Sequence, residues 1–198
     1  GKLHGIIGLG GVTAAIMCSK VMQSLPFGVP KLLVSSGASL RGMSSRFIGS
    51  KDIMLMHSVV DFVGFNRLLE DVLVRAVGSI CGMVTVADGI TPSSLVKQGK
   101  QMVAMSVMGV VDNCAHYVSK RLNSMGYEVV SFSAGGPGDR AMEDLISNGF
   151  FDFVIDLCPG AVGEQILGGT RAAGAKRLEA AGEKGIPQIV APCMVNIM

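Results

Sequence analysis

The chain has 198 residues, of which 49% are hydrophobic, 5% aromatic and 16% charged, and its formal net charge is +2. This length suits one large or two small domains, and the apolar content can fill a sizeable core. The near-neutral charge, with no basic run, gives no electrostatic reason to expect a nucleic-acid partner.

Membrane insertion and disulfide bonding are not expected either. The longest uncharged opening stretch is shorter than a membrane span and rich in glycine. The five cysteines are widely spaced without a C-x-x-C, so we expect reduced thiols in the cytoplasm and no metal site. They are Cys18, Cys81, Cys114, Cys158 and Cys193. Because the chain lacks an initiator Met, we also expect its true N-terminus to be absent.

The first half contains three apolar runs that predict strands and two longer runs that predict helices. The strands are "LHGIIGL", "PKLLVSS" and "DIMLMHS", and the helices are "VTAAIMCSKVMQSL" and "NRLLEDVLVRAVGSICGMV". The polar stretch at about 91–100 contains proline and is typical of a linker. We therefore place a first domain at 1–92 and the start of a second at 101.

The second half alternates strand and helix more regularly. Its predicted strands are "QMVAMSVMG", "YEVVSFSA", "FFDFVIDLC" and "IPQIVAP", and its helices are "DNCAHYVSKRLNSMG", "DRAMEDLISNG" and "AKRLEAAGEKG". Such alternation predicts a parallel sheet with right-handed crossovers over 101–198. The predicted fold class is α/β, with two Rossmann-like parallel-sheet domains that are each incomplete in this chain.

The opening stretch "GIIGLGGVTAAIMCSK" places Gly8, Gly10 and Gly11 between a strand and a helix. A helix start offers free backbone N–H groups and partial positive charge, which suit a phosphate. The stretch has neither the lysine of a P-loop nor a third glycine in G-x-G-x-x-G. A purely structural turn therefore remains open beside an anion site.

Two further loops could bind phosphate. "SSGASLRGMSSR" (35–46) offers hydroxyl groups and two arginines, although an ordinary polar loop is an equal alternative. "SAGGPGDRAME" (133–143) repeats the strand–glycine–helix pattern, where the glycines could also only shape the turn. Asp139 in this loop is expected to cap the helix rather than to act in catalysis.

Acid–base residues are sparse. His57 and Asp61 could form a general-base pair, but a buried structural histidine is the alternative. The adjacent pairs Glu70/Asp71 and Glu143/Asp144 point apart on a helix and are expected to face solvent. No catalytic residue and no metal ligand is predicted, and whether the protein is an enzyme stays open.

The order of these loops resembles the tomato mosaic virus resistance protein-like ATP-binding family of bacterial and plant proteins. The likeness lies in "GLGG", "SLPFGVPKLLVSS", "FIGSKDIMLMHSVVDFVGFNRLLEDVLVRAVGSICGMV", "FSAGGPGDRAMEDLISNGFFDFVIDL" and "AAGAKRLEAAGEKGIPQIVAP". It covers essentially the whole chain and implies two Rossmann-like domains, a homodimer, and ATP, with or without Mg²⁺, held by glycine and hydroxyl loops. A plant member of the family works by binding a viral replication protein, so a protein partner is implied as well.

Some polar loop positions depart from the family pattern, which usually has Ser-x-Gly-Thr where this chain has Val12 to Ala15. The main hypothesis is an ATP-binding regulatory or interaction module. Its predicted ligand-binding residues are Gly8, Gly10, Gly11, Thr13, Ser35, Ser36, Ser39, Gly135 and Gly136. The alternatives are a scaffold or dimerisation protein that has lost its ligand, and an enzyme acting on a small anionic metabolite.

Overall fold

The computed structural model describes residues 3–87 and 99–195. The chain divides into two compact units, Gly1–Pro92 and Ser93–Met198. Each unit contains one sheet of parallel strands with helices packed on it, so the α/β prediction is confirmed. Most of the predicted linker, residues 91–98, lies outside the described residues.

The first unit has a three-stranded sheet in the order β1-β2-β3, all parallel. Its elements are β1 (Ile6–Gly10), α1 (Val12–Ser24), β2 (Lys31–Ser35), α2 (Met43–Ile48), β3 (Met54–His57) and α3 (Arg67–Ala87). Alternate side chains of the central strand β2 enter two separate cores, as the two-residue period of a strand requires. Leu33 packs with residues of α1 and α2, whereas Leu32 and Val34 pack with residues of α3.

The second unit has a four-stranded parallel sheet in the order β5-β4-β6-β7. Its elements are β4 (Met102–Val107), α4 (Asp112–Ser124), β5 (Glu128–Ser133), α5 (Pro137–Ser147), β6 (Phe153–Asp156), α6 (Ala161–Leu167), α7 (Ala180–Lys184) and β7 (Gln188–Val190). The chain leaves β4 toward β5 on one side and later returns to β6 on the other. The carboxyl ends of β4 and β6 therefore flank a topological switch point, where doubly wound proteins bind ligands.

All seven predicted strands are present, and five helices lie where the apolar spacing predicts them. Helices α2 and α6 were not predicted, since six and seven residues are too few for a clear helical period. Helix α7 begins at Ala180, five residues later than the predicted stretch starting at Ala175. Within the described ranges, no helix is long and apolar enough to cross a membrane.

Candidate functional site

The turn between β1 and α1 depends on glycine. Gly10 has a φ of 143°, and a Cβ at this position would lie 2.6 Å from the Cβ of Ala14. Only glycine fits there, so the close turn follows directly from the sequence. Gly11 is the N-cap residue of α1, and none of the described side chains makes a capping hydrogen bond to this helix.

The start of α1 exposes unpaired backbone donors. In the described part of the chain, the N–H groups of Val12, Thr13 and Ala14 have no acceptor, and the first turn carries no acidic residue. Unsatisfied amides at a helix start carry partial positive charge and attract anions. The start of α1 therefore offers unpaired donors where the sequence predicts an anion site, and Thr13 is exposed there. Anion binding at this turn stays a prediction.

A hydroxyl and a carboxylate lie beside this turn. A Cβ built on Gly11 would be 3.7 Å from Asp61 Oδ1 and 3.8 Å from Ser36 Oγ. The Ser36 hydroxyl donates to Asp61 Oδ1 at 3.1 Å, and the N–H of Phe62 donates to the same oxygen at 2.9 Å. The structure thus brings Gly11, Ser36 and Asp61 together, although they lie far apart in the sequence.

The other predicted hydroxyls have different surroundings. Ser35 is buried, and its Oγ accepts a hydrogen bond from the N–H of Gly37 at 3.1 Å, which is a structural role. Ser39 is exposed. A Cβ on Gly37 would lie 2.6 Å from Val12 Cγ2, so the first helix residue fits against the glycine of the neighbouring loop.

Gly8 lies in the strand rather than in the turn. It is buried, and a Cβ there would be 2.7 Å from Cys18 Cβ, so it lets α1 pack closely on β1. His57 is exposed, which excludes the alternative of a buried structural histidine. Its Nδ1 lies 3.3 Å from the carbonyl oxygen of Ser35, and no hydrogen bond joins it to Asp61 within the described residues.

The corresponding turn in the second unit holds an anion of its own. The N–H groups of Gly135 and Gly136 donate to Asp139 Oδ2 at 2.6 and 3.0 Å. Asp139 is fully buried and caps α5, as expected from its position. Ligand binding by Gly135 and Gly136 stays a prediction, and it would require both amides to leave this carboxylate.

Asp139 also belongs to a buried charge cluster centred on Arg177, whose side chain is 1% exposed. Arg177 Nε lies 3.1 Å from Asp139 Oδ1, and Nη1 lies 2.8 Å from Glu143 Oε1. Its Nη2 pairs with Asp156, whose other oxygen accepts from the Ser106 hydroxyl at 2.8 Å. Burial lowers the pKa of Arg177, but the three carboxylates together raise it above its ordinary value.

This cluster corrects one expectation and was missed by the sequence analysis. The Glu143 side chain is only 14% exposed, and it also accepts the N–H groups of Leu178 and Ala180 at 2.8 and 3.1 Å, so it does not face solvent. One feature of the sequence could have predicted that two of the carboxylates in this cluster lie close together. Asp156 ends a buried strand and Asp139 follows a glycine turn, and both positions lie at the carboxyl edge of a parallel sheet.

Family models match almost the whole chain. The N-terminal domain of the uncharacterised protein family UPF0261 matches residues 1–89, and the C-terminal domain of the same family matches residues 100–198. A UPF0261 protein of Clostridium tetani is 39% identical over 196 residues, which are 99% of this chain and 47% of that protein.

Two tomato (Solanum lycopersicum) proteins are also similar to this chain, and they are equally similar to it. The ToMV resistance protein Tm-1(GCR237) and the ToMV susceptible protein tm-1(GCR26) are each 37% identical over 189 residues. These are 96% of this chain and 25% of each tomato protein. The chain therefore spans about half the length of the bacterial relative and a quarter of the tomato proteins. The equal identity to both means that this likeness does not separate resistance from susceptibility.

Proposed function

This chain belongs to the UPF0261 family, and from that premise we propose that it is a nucleotide-binding module that holds the phosphates of ATP at the β1–α1 turn. The observation that carries the proposal is the start of α1. Its first three amides have no acceptor among the described residues, and no side chain caps the helix.

These donors suit a phosphate group. Backbone N–H groups at a helix start, together with the helix dipole, form a site for anions without any basic side chain. Gly11 places no side chain over the amides, and the exposed Thr13 offers a hydroxyl in the same helical turn. The ligand phosphates would therefore be bound mainly by the main chain.

Asp61 gives this site a requirement for a cation. Its carboxylate lies beside Gly11, where it would repel a phosphate. Mg²⁺ prefers oxygen ligands, and it is commonly held by one carboxylate, a hydroxyl and the phosphates themselves. Asp61 and the Ser36 hydroxyl fit that donor set, so we propose that ATP enters together with Mg²⁺.

A regulatory or interaction role suits the site better than catalysis. In the described part of the chain, the one histidine near the turn makes no hydrogen bond to Asp61, so no coupled acid–base pair faces the ligand. Five free cysteines support a reducing compartment, and we propose the cytoplasm.

Calorimetric titration with Mg·ATP tests the proposal. The key variant introduces into α1 the aspartate that the second unit has at the third position of α5. In α5 the third helical residue, Asp139, binds the turn amides; the equivalent residue of α1 is Ala14. Ala14→Asp should cap α1 and raise its stability by about 0.3–1 kcal/mol while abolishing ATP binding. Ser24→Asp adds the same charge at the other end of α1 and should bind ATP as the parent chain does.

A third variant addresses the cation. Asp61→Asn should bind ATP with little dependence on Mg²⁺, whereas the parent chain should lose binding when EDTA is added. The absence of heat with millimolar Mg·ATP, or unchanged binding by Ala14→Asp, would contradict the proposal.

An interaction module that dimerises through α3 is the second candidate. Val74, Val77 and Cys81 follow one face of this helix and are all exposed, with Val74 at 66% and Val77 at 53%. Exposed apolar stripes of this kind are typical of contact surfaces. Light scattering should give a dimer at micromolar concentration, and Val74→Lys combined with Val77→Lys should give a monomer. A monomeric parent chain would exclude this candidate.

A further inference from the structure

Two of the five cysteines follow the ends of neighbouring strands in the second unit. Cys158 comes shortly after Asp156, the last residue of β6. Cys193 comes shortly after Val190, the last residue of β7, and Val190 is paired with Asp156 in the parallel register. Neighbouring strands lie about 4.8 Å apart, and a disulfide joins Cα atoms that are about 4.4–6.8 Å apart. The spacing of the two strands where they end is therefore within the reach of a disulfide.

The two chain segments stay close after the strands end. The N–H of Ala191 donates to the carbonyl oxygen of Asp156 at 2.8 Å, so the pairing continues beyond the last strand residues. Further along the chain, a Cβ built on Gly160 would lie 2.7 Å from the carbonyl oxygen of Met194 and 3.1 Å from its Cβ. Contacts therefore bracket the two cysteines on both sides, and the loops that carry them run side by side.

Both cysteine side chains belong to the same apolar core. Cys158 is 1% exposed and is part of the cluster that includes Val103 and Ile155, and Cys193 packs against that cluster. Burial raises the pKa of the Cys158 thiol most, and the nearby Cys193 raises it further. All five cysteines are free thiols in the structure. The pair is thus close together and reduced.

The two thiols differ in their access to solvent. Cys193 is half-buried, whereas Cys158 is enclosed in the core. A reagent in solution therefore meets Cys193 first, and Cys158 is the thiol that can react with the modified Cys193 afterwards. In a reducing compartment such disulfides are usually transient and serve redox sensing.

We propose that Cys158 and Cys193 form a reversible disulfide, which ties the loop after β6 to the loop after β7 under oxidising conditions. A small disulfide such as oxidised glutathione serves as the oxidant. The Cys193 thiolate attacks one of its sulfur atoms, which gives a mixed disulfide and releases one glutathione thiolate. The Cys158 thiolate then attacks the Cys193 sulfur and releases the second glutathione thiolate. The protein loses two electrons, and the protons lost by its two thiols are taken up by the two released glutathiones.

The disulfide would close a loop that contains α6, α7 and Arg177. A cross-link of this kind removes conformational freedom from the unfolded chain. Oxidation should therefore stabilise the second unit, in which Arg177 and its carboxylate partners lie. The pair is separate from the proposed ATP site, which lies in the first unit, so either proposal can fail without the other.

Peptide mapping of the full chain tests the inference. The folded protein is treated with oxidised glutathione at mildly alkaline pH, the remaining thiols are blocked with iodoacetamide, and trypsin cuts between the two cysteines at Arg171 and Lys184. Mass spectrometry should find the link between Cys158 and Cys193 as the main cross-link, and dithiothreitol should remove it. The same treatment in denaturing urea should lose this preference, because the preference comes from the fold.

Urea unfolding followed by tyrosine fluorescence tests the effect on stability. Oxidation should raise the midpoint of the parent chain by about 1 M urea. Cys193→Ser replaces a half-buried residue and should unfold at the same midpoint with and without oxidation. Cys114→Ser removes an exposed cysteine of α4 and is the matched control, which should respond to oxidation as the parent chain does.

Three results would overturn the proposal. They are a different main cross-link, or none, in the folded chain; an unchanged midpoint of the oxidised parent chain; and a shift that persists in Cys193→Ser.

Discussion

The two units build the same strand–glycine–helix turn but finish it differently. In the second unit, the turn amides of Gly135 and Gly136 donate to Asp139, the third residue of α5. In the first unit, the third residue of α1 is Ala14, which has no carboxylate to offer, and the N–H groups of Val12, Thr13 and Ala14 have no acceptor among the described residues. The glycines therefore shape both turns, and we expect the residue at the third helical position to determine whether an outside anion can bind there.

The buried cations of the two units also differ, because the carboxylate partners in the second unit are the more deeply buried. The second unit encloses Arg177 with three carboxylates, all of them largely withdrawn from water. The first unit encloses Lys31, whose partner Asp52 remains 28% exposed. Buried ion pairs thus stabilise the carboxyl edge of the second sheet. Four experiments test how far the two units differ in their buried groups and turns.

Removal of Arg177 should have the largest effect. Arg177→Met leaves Asp139 and Asp156 buried without their cation, which should lower the free energy of unfolding by about 3–5 kcal/mol. Both tyrosines, Tyr117 and Tyr127, lie in the second unit and the chain has no Trp, so tyrosine fluorescence in urea reports on this unit alone. Lys176→Met, at a neighbouring exposed position, should change stability by less than about 0.5 kcal/mol. A similar small loss for Arg177→Met would mean that the cluster is not structural.

The second-largest difference is expected when a methyl group is added to the glycine turn of each unit, because the two variants should lose different amounts of stability. Gly138→Ala places a Cβ 2.0 Å from the Ser133 carbonyl oxygen, and should cost about 3 kcal/mol because a backbone atom must move. Gly11→Ala meets no atom closer than 3.7 Å and should cost about 1 kcal/mol or less, as a poorer N-cap. Urea unfolding followed by circular dichroism measures both. Equal losses of unfolding free energy in the two variants would contradict the conclusion that atoms pack more closely around Gly138 than around Gly11.

Removal of the buried lysine in the first unit should be milder than removal of Arg177. Lys31 Nζ donates to the carbonyl oxygens of Pro26 and Val29, both at 2.8 Å, and to Asp52 Oδ1 at 2.7 Å. Lys31→Met should cost about 1–2 kcal/mol, because water can reach Asp52 once the lysine is gone. Amide hydrogen exchange in β1 to β3 measures the loss within the first unit, and exposed Lys20→Met is the control. If Lys31→Met lost as much stability as Arg177→Met, the exposure of Asp52 to water would not explain a milder effect.

Thiol chemistry should give the smallest difference. Burial, followed by the nearby Cys193 and Asp156, raises the pKa of Cys158 from 9.0 to about 11. Its folded-state pKa lies above the unfolded value, so its contribution to stability is complete below pH 9 and is lost as pH rises from 9 to 11. Alkylation at pH 8 followed by mass spectrometry should therefore modify exposed Cys81 well before Cys158. Equal rates would contradict the burial of Cys158 at this edge.

Local patterns predicted the elements of this fold well, because strand and helix periods are properties of neighbouring residues. The turn at Gly10 and Gly11 and the cap at Asp139 could be anticipated for the same reason. Proximity between distant residues could not be predicted in this way. Asp61 reaches Gly11 across fifty positions, and Arg177 reaches Asp139 across 38. Such pairs depend on which loops leave the same edge of a sheet, and a single sequence does not display that order directly.

The fit of Val12 against Gly37 also constrains how this protein can change over generations. Any side chain at position 37 collides with the valine methyl group, while a shorter residue at position 12 opens a gap beneath the neighbouring loop. A larger residue at position 37 is therefore expected to be tolerated better once the residue at position 12 is smaller.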